Sequence, residues 1–119
     1  MEIATGLSEQ IARYLDLSAA ELKLTAANMA NIDTPGYKAV GMDFEAEMRE
    51  AMNGVTEGSA PRLPRVKIVE GLIARPDGND VSLDRESLNM AKAQLQFKTG
   101  VALLRQEYQR VMDAIHADK

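Results

Sequence analysis

The sequence predicts a mainly α-helical fold, in which long helices at the two ends of the chain pair as a coiled coil around a small irregular middle. Three observations carry this. Apolar residues recur in steps of four and three over two long stretches, 7–32 and 84–117. Among 119 residues there are three tyrosines, two phenylalanines and no tryptophan, so the core is aliphatic, which suits helix-on-helix packing. The turn formers cluster between the two stretches, in residues 33–83. The length allows one domain, 1–119, with a modest buried core.

The first helix carries a heptad seam of Ile11, Leu15, Ser18, Leu22, Thr25, Met29 and Ile32. Ser8 is its better N-cap candidate. Two of the seven seam positions are hydroxyls, so the stripe is weak and the helix, marginal alone, calls for partners. It ends in Ala27-Asn28-Met29-Ala30-Asn31-Ile32-Asp33-Thr34-Pro35-Gly36-Tyr37-Lys38. Asn28 and Asn31 are poor interior helix residues that tolerate left-handed angles. Thr34 precedes a proline and is pushed out of helical geometry. Pro35 and Gly36 suit the centre of a type II turn, and Tyr37 is able to fold back on the helix.

In the middle, Val40, Met42 and Phe44 alternate as a short extended segment. Phe44, Met48 and Met52 then share one face of a short helix ending at Asn53-Gly54. Residues 53–65 break both periodicities. Val66-Lys67-Ile68-Val69 reads as a short strand with Leu72-Ile73-Ala74 as candidate hairpin partner, before a second turn at Pro76-Asp77-Gly78-Asn79.

The last helix is the longest, with Ser82 or Asp84 as cap. Its seam is Met90, Gln94, Phe97, Val101, Leu104, Tyr108, Val111 and Ile115, and Gly100 weakens it by about 1 kcal/mol relative to alanine. Leu88, Ala91, Leu95 and Ala102 form a second apolar stripe. Two long helices joined by a small middle thus present more apolar stripe than they can bury on each other. Either the lone subunit is poorly ordered or neighbouring subunits complete the core, and the two are compatible.

Charge and chemistry narrow the function classes. The net charge of −4 is spread along the chain, with no basic segment to track a phosphate backbone, so nucleic acid is not an expected partner. Without cysteine there is no disulfide, thiolate metal site or cysteine nucleophile. Asp113 and His116, with Asp118 nearby, are too few ligands at a helix end to hold a metal. Asp77-Gly78-Asn79-Asp80 lacks EF-hand spacing. Glu45, Glu47 and Glu50 are expected on a solvated helix face, and Arg62, Arg65 and Lys67 in a solvated loop. No enzymatic activity, cofactor or small-molecule substrate is expected. The N-terminus lacks the charge and apolar run of a cleavable leader, and no stretch reaches the roughly 20 apolar residues of a membrane span.

The order A-N-x-A-N-x-x-T-P-G-Y-K, carried by Asn28, Asn31, Thr34, Pro35, Gly36 and Tyr37, closely resembles the motif near the N-terminus of bacterial flagellar axial proteins. Within them, Asp77-Gly78-Asn79-Asp80-Val81-Ser82-Leu83-Asp84-Arg85-Glu86 resembles the run that opens the C-terminal helix of FlgB-type proximal rod proteins. Ala93-Gln94-Leu95-Gln96-Phe97 is similar to a further segment of theirs, with Ala93 and Phe97 as departures. The resemblance implies a structural subunit of the basal-body rod, the drive shaft that crosses the periplasm. It implies export through the flagellar type III apparatus on an uncleaved signal, and assembly with other copies, other rod proteins and the membrane-ring end of the rod. The expected assembly contacts are Ile11, Leu15, Leu22 and Met29 against Phe97, Val101, Leu104, Tyr108, Val111 and Ile115, within or between subunits. The Asn28–Tyr37 turn is expected to act as an elbow touching a neighbour, and the second stripe to face a different one. The alternative is a soluble helical adaptor or export chaperone that binds a partner's amphipathic helix.

Overall fold

A computed structural model of the chain describes residues 6–117. Met1–Thr5, the start of the N-terminal region to which the resemblance assigns the uncleaved export signal, and Asp118 and Lys119 lie outside the described residues. The described residues fold as three helices and a two-stranded ribbon in an elongated body of 68 × 26 × 18 Å. Helix α1 spans Gly6–Ala30, strand β1 Val40–Gly41, helix α2 Phe44–Glu57, strand β2 Lys67–Ile68 and helix α3 Leu83–His116. The expected pair of long terminal helices is present, and α1 lies along α3.

Each element has a local cause. Ser82, extended, caps α3 by accepting from the Arg85 amide at 3.3 Å, with Asp84 and Glu86 favourably placed in the first turn. Asp43 caps α2 through the Ala46 amide at 3.1 Å. The expected stop of α2 at Asn53-Gly54 does not occur. Gly54 continues the helix beside the Arg13 guanidinium, and the left-handed turn comes at Gly58, φ +73°. There the Gly58 and Ser59 amides return to the carbonyls of Val55 and Gly54. Ser8 is not the cap of α1 but lies buried within it.

The ribbon also differs from expectation. β2 pairs antiparallel with β1, Val40 opposite Ile68 and Gly41 opposite Lys67, rather than with Leu72–Ala74. Gly71, at φ +81°, turns the chain away and leaves Ile73 93% exposed. The partner is upstream because the junction described below holds residues 39–41 extended beside α1.

The α1–α3 contact is antiparallel. Leu15 meets Gly100 and Asn28 meets Glu86, so thirteen residues forward along α1 match fourteen back along α3. Its centre is small and polar. Ser18, Thr25 and Asn28 are buried on α1, and Glu86, Ala93, Gly100 and Glu107 on α3. The hydroxyls that weakened the seam in sequence, Ser18 and Thr25, are therefore buried rather than solvated. Gly100 is no mere soft spot: a Cβ there would lie 2.7 Å from Leu15 Cδ2 and 3.1 Å from Tyr14 Cδ1. The apolar seam of α3 lies to one side of this line, where Met90, Val101, Leu104, Val111 and Ile115 are half-buried, and Phe97 and Tyr108 are exposed. α2 packs on α1 with Tyr14 and Phe44 edge to face, ring centroids 5.9 Å apart.

Candidate functional site

The two sequence runs singled out by resemblance meet in space, in a polar junction where α1 ends and α3 begins. Asn28, buried, makes four hydrogen bonds. Its Nδ2 donates to the Val40 carbonyl (2.8 Å) and Glu86 Oε2 (3.1 Å), and its Oδ1 accepts from the Val40 amide (2.9 Å) and the Tyr37 hydroxyl (3.2 Å). The amide thus pairs with Val40 as a neighbouring strand would. The edge of β1 that β2 does not cover is closed by a side chain.

Asn79 performs the matching task from the other run. Its Nδ2 donates to the carbonyls of Asn31 (2.9 Å) and Thr34 (2.8 Å), while its Oδ1 accepts from the Val81 amide (2.8 Å). Asp80 Oδ1 accepts from the Ala39 amide at 2.7 Å. Asn31 Nδ2 returns to the Ala27 carbonyl (2.8 Å), and Asn31 Oδ1 accepts from the Thr34 hydroxyl (3.0 Å). The asparagines act through their side chains rather than through left-handed backbone, since every positive φ among the described residues belongs to glycine.

Thr34-Pro35-Gly36-Tyr37 is the expected type II turn: the Tyr37 amide bonds the Thr34 carbonyl at 3.2 Å, with Gly36 at φ +76°. It stacks on the turn Arg75–Gly78. The Gly36 amide donates to the Asp77 carbonyl (2.9 Å), Lys38 Nζ donates to the Gly78 carbonyl (2.7 Å), and a Cβ on Gly78 would lie 3.4 Å from Gly36 Cα. Arg75 donates to the Ile32 carbonyl. The outer surface of the elbow, residues 33–36, is exposed. Glu86 closes the second run, but only the fold shows it to be fully buried and the carboxylate that receives Asn28 and Arg85.

A second polar cluster corrects two expectations. Glu47 is buried rather than solvated, and the basic residues of the following loop are its partners. Glu47 accepts from the Arg65 amide and Nε (3.2 and 3.3 Å) and from Arg62 Nη2 (3.3 Å), and Glu50 pairs with both arginines. Residues 59–66 are thereby strapped back along α2. The Arg62 hydrogen bond, with the charges of both arginines, holds the Glu50 carboxyl below its ordinary range.

Charge at the helix seam is less comfortable. Glu21 lines a cleft of about 690 Å³ between α1, the ribbon and the start of α3. Burial pushes its carboxyl up against the opposing pull of Lys92, and its Oε2 is buried without a hydrogen bond. Tyr14 is raised by burial and then by Glu21.

The expected assembly residues are only partly gathered. Leu15 reaches α3 at Gly100, between Phe97 and Leu104, whereas Met29 adjoins the Asn28–Glu86 contact, eleven residues short of Phe97. Val111 lies eleven residues beyond Gly100. Ile11 is buried and Leu22 half-buried on α1. The second stripe faces outward: Leu88 is 71% and Leu95 67% exposed. These positions follow Glu86 and Ala93 by two residues, or about 200° around the helix, so the stripe lies opposite the α1 contact. No group of three or more potential metal ligands occurs among the described residues.

A profile described as "Flagella basal body rod protein" matches residues 15–38, the end of α1 and the elbow. That places this stretch in the class of flagellar rod proteins. Similarity over nearly the whole length narrows the class. The chain is 30% identical to flagellar basal body rod protein FlgB of Salmonella typhimurium, over 85% of this chain and 86% of that protein. It is 32% identical to FlgB of Cereibacter sphaeroides, over 96% and 99%, and 28% identical to that of Escherichia coli, over 87% and 88%. The chain belongs to the FlgB-type flagellar basal-body rod proteins, which are structural subunits.

Proposed function

We propose that this chain polymerises with other copies and other axial proteins to build the proximal rod, the shaft that transmits torque across the periplasm. One observation supports this above the rest: Leu88 and Leu95 of α3 face away from α1 and are largely exposed. Among the described residues five apolar side chains are buried (Ile11, Leu17, Ala39, Val81 and Ala93), against ten polar or charged ones. A subunit with so thin a core, displaying Leu88 and Leu95, gains stability when neighbours cover that face. Contacts that do not close on themselves extend as a filament.

In this reading the junction sets the angle at which the chain leaves α1, and the exposed elbow 33–36 touches an adjacent subunit. The seams of α1 and α3 complete their packing within and between subunits. Export proceeds through the flagellar type III apparatus, and the membrane-ring end of the rod is a neighbour. Family membership favours this reading over a soluble adaptor. The test is electron microscopy of basal bodies from a strain lacking the gene, with the intact gene restored. Membrane rings without a completed rod, rescued by the gene, are expected; normal flagella and swimming overturn the proposal.

A further inference from the structure

The outward stripe of α3 has a counterpart on the same molecule. A groove of about 940 Å³ runs between α1, α2 and the strap 59–66, lined by Leu17, Ala20, Leu24 and Ala51, with Leu63 and Val66 exposed at its edge. Leu17 and Leu24 are seven residues apart on α1, as Leu88 and Leu95 are on α3, so both pairs span about 10.5 Å along their axes. We propose that the outer face of α3 seats in this groove on a second copy of the chain, antiparallel to its α1, with Leu88 beside Leu24 and Leu95 beside Leu17. The inference rests on the rod reading and names the surface that covers the stripe.

Charge argues for a second copy as the occupant. Residues 87–106 of α3 contain no acid, and Lys98 lies one turn beyond Leu95, whereas Lys92 acts on Glu21 of α1. On the α2 side the charged residues lining the groove are Glu47, Glu50 and Glu57. The strap arginines engage Glu47 and Glu50. That leaves Asp16 and Glu57 as exposed acids on the rim. Placing Leu95 beside Leu17 brings Lys98 toward Asp16. Because the stripe and the groove are different surfaces, each copy offers one to the next and accepts one in return, a head-to-tail contact that does not close.

The chain has no cysteine, which makes the contact directly testable. Cells lacking the wild-type gene would carry two alleles, Leu95→Cys and Ala20→Cys, and isolated basal bodies would be oxidised mildly. A disulfide-linked homodimer is expected with both alleles together and with neither alone, and Leu88→Cys with Leu24→Cys serves as a second pair. Lys98→Glu in the Leu95→Cys chain should lower the yield at least several-fold, and Asp16→Lys in the Ala20→Cys chain should restore it. The same pairs, oxidised as concentrated full-length chains with helicity checked by circular dichroism, cover alleles that do not assemble. No homodimer from either pair in either setting, or an adduct with a different axial protein instead, overturns the proposal. Gene deletion reports separately on the rod reading, so a chain required for rods that yields no homodimer overturns the groove contact alone.

Discussion

Asn28 shows how a residue unsuited to a helix by propensity becomes necessary by position. Its amide satisfies both backbone groups of Val40, the Tyr37 hydroxyl and a carboxylate oxygen of Glu86. Truncating it strands several buried polar groups at once. Asn28→Ala is therefore expected to lower unfolding stability by about 3 kcal/mol, read as a fall in the urea midpoint, with the α1–α3 connection loosening first. Gly100 makes the opposite point. By helix propensity, Gly100→Ala would gain about 1 kcal/mol. Because the new methyl group would enter the space of Leu15, the substitution is instead expected to destabilise by about 1–3 kcal/mol, measurable as a lowered thermal midpoint. A rise in that midpoint would show that the helices part without penalty.

Among the elements, the strap 59–66 responds most directly to charge. Glu50 has a depressed folded pKa, so its contribution is present above the ordinary glutamate value and is lost as pH falls through the lowered one. Acidification below about pH 4 should release the strap while the helices persist, and high salt should weaken it at neutral pH. Glu50→Gln is expected to reproduce the release at pH 7, seen as faster tryptic cleavage after Arg62 and Arg65 with unchanged helicity. Glu21 has the reverse sign. Its raised pKa means that its stability contribution is complete below the ordinary glutamate value and falls away as pH rises through the folded value. Glu21→Gln is thus expected to raise the thermal midpoint at pH 7, with the gain vanishing in acid.

For the whole molecule, the central property is an inverted distribution of side chains. Small and polar groups fill the α1–α3 contact, while Leu88 and Leu95 face outward. In the proposed rod this arrangement couples stability to assembly, because the subunit finishes its core only among neighbours. Leu95→Glu is expected to leave the midpoint of the isolated chain within about 0.5 kcal/mol, the usual range for an exposed substitution, yet abolish swimming. Unimpaired swimming would mean that this face is not buried in the rod.

Much of this was legible in the sequence, for a physical reason in each case. The long helices follow from three-and-four periodicity, which is a local property, and the type II turn follows from Pro35-Gly36, whose backbone preferences are intrinsic. The motif order was specific enough to point to the flagellar axial proteins. What tertiary structure alone decided lies where distant residues meet. Periodicity marks which face of α3 is apolar, but rotation about the helix axis is set by the close approach of Leu15 to Gly100, where a Cβ would clash. Val66–Val69 could have paired locally, and it was the Asn28 amide, bonded to Val40 from another element, that fixed its partner. Glu47 looked solvated until the strap brought Arg62 and Arg65 onto it. Side-chain hydrogen bonds and close packing depend on distances in space, and those are settled only when the whole chain has folded.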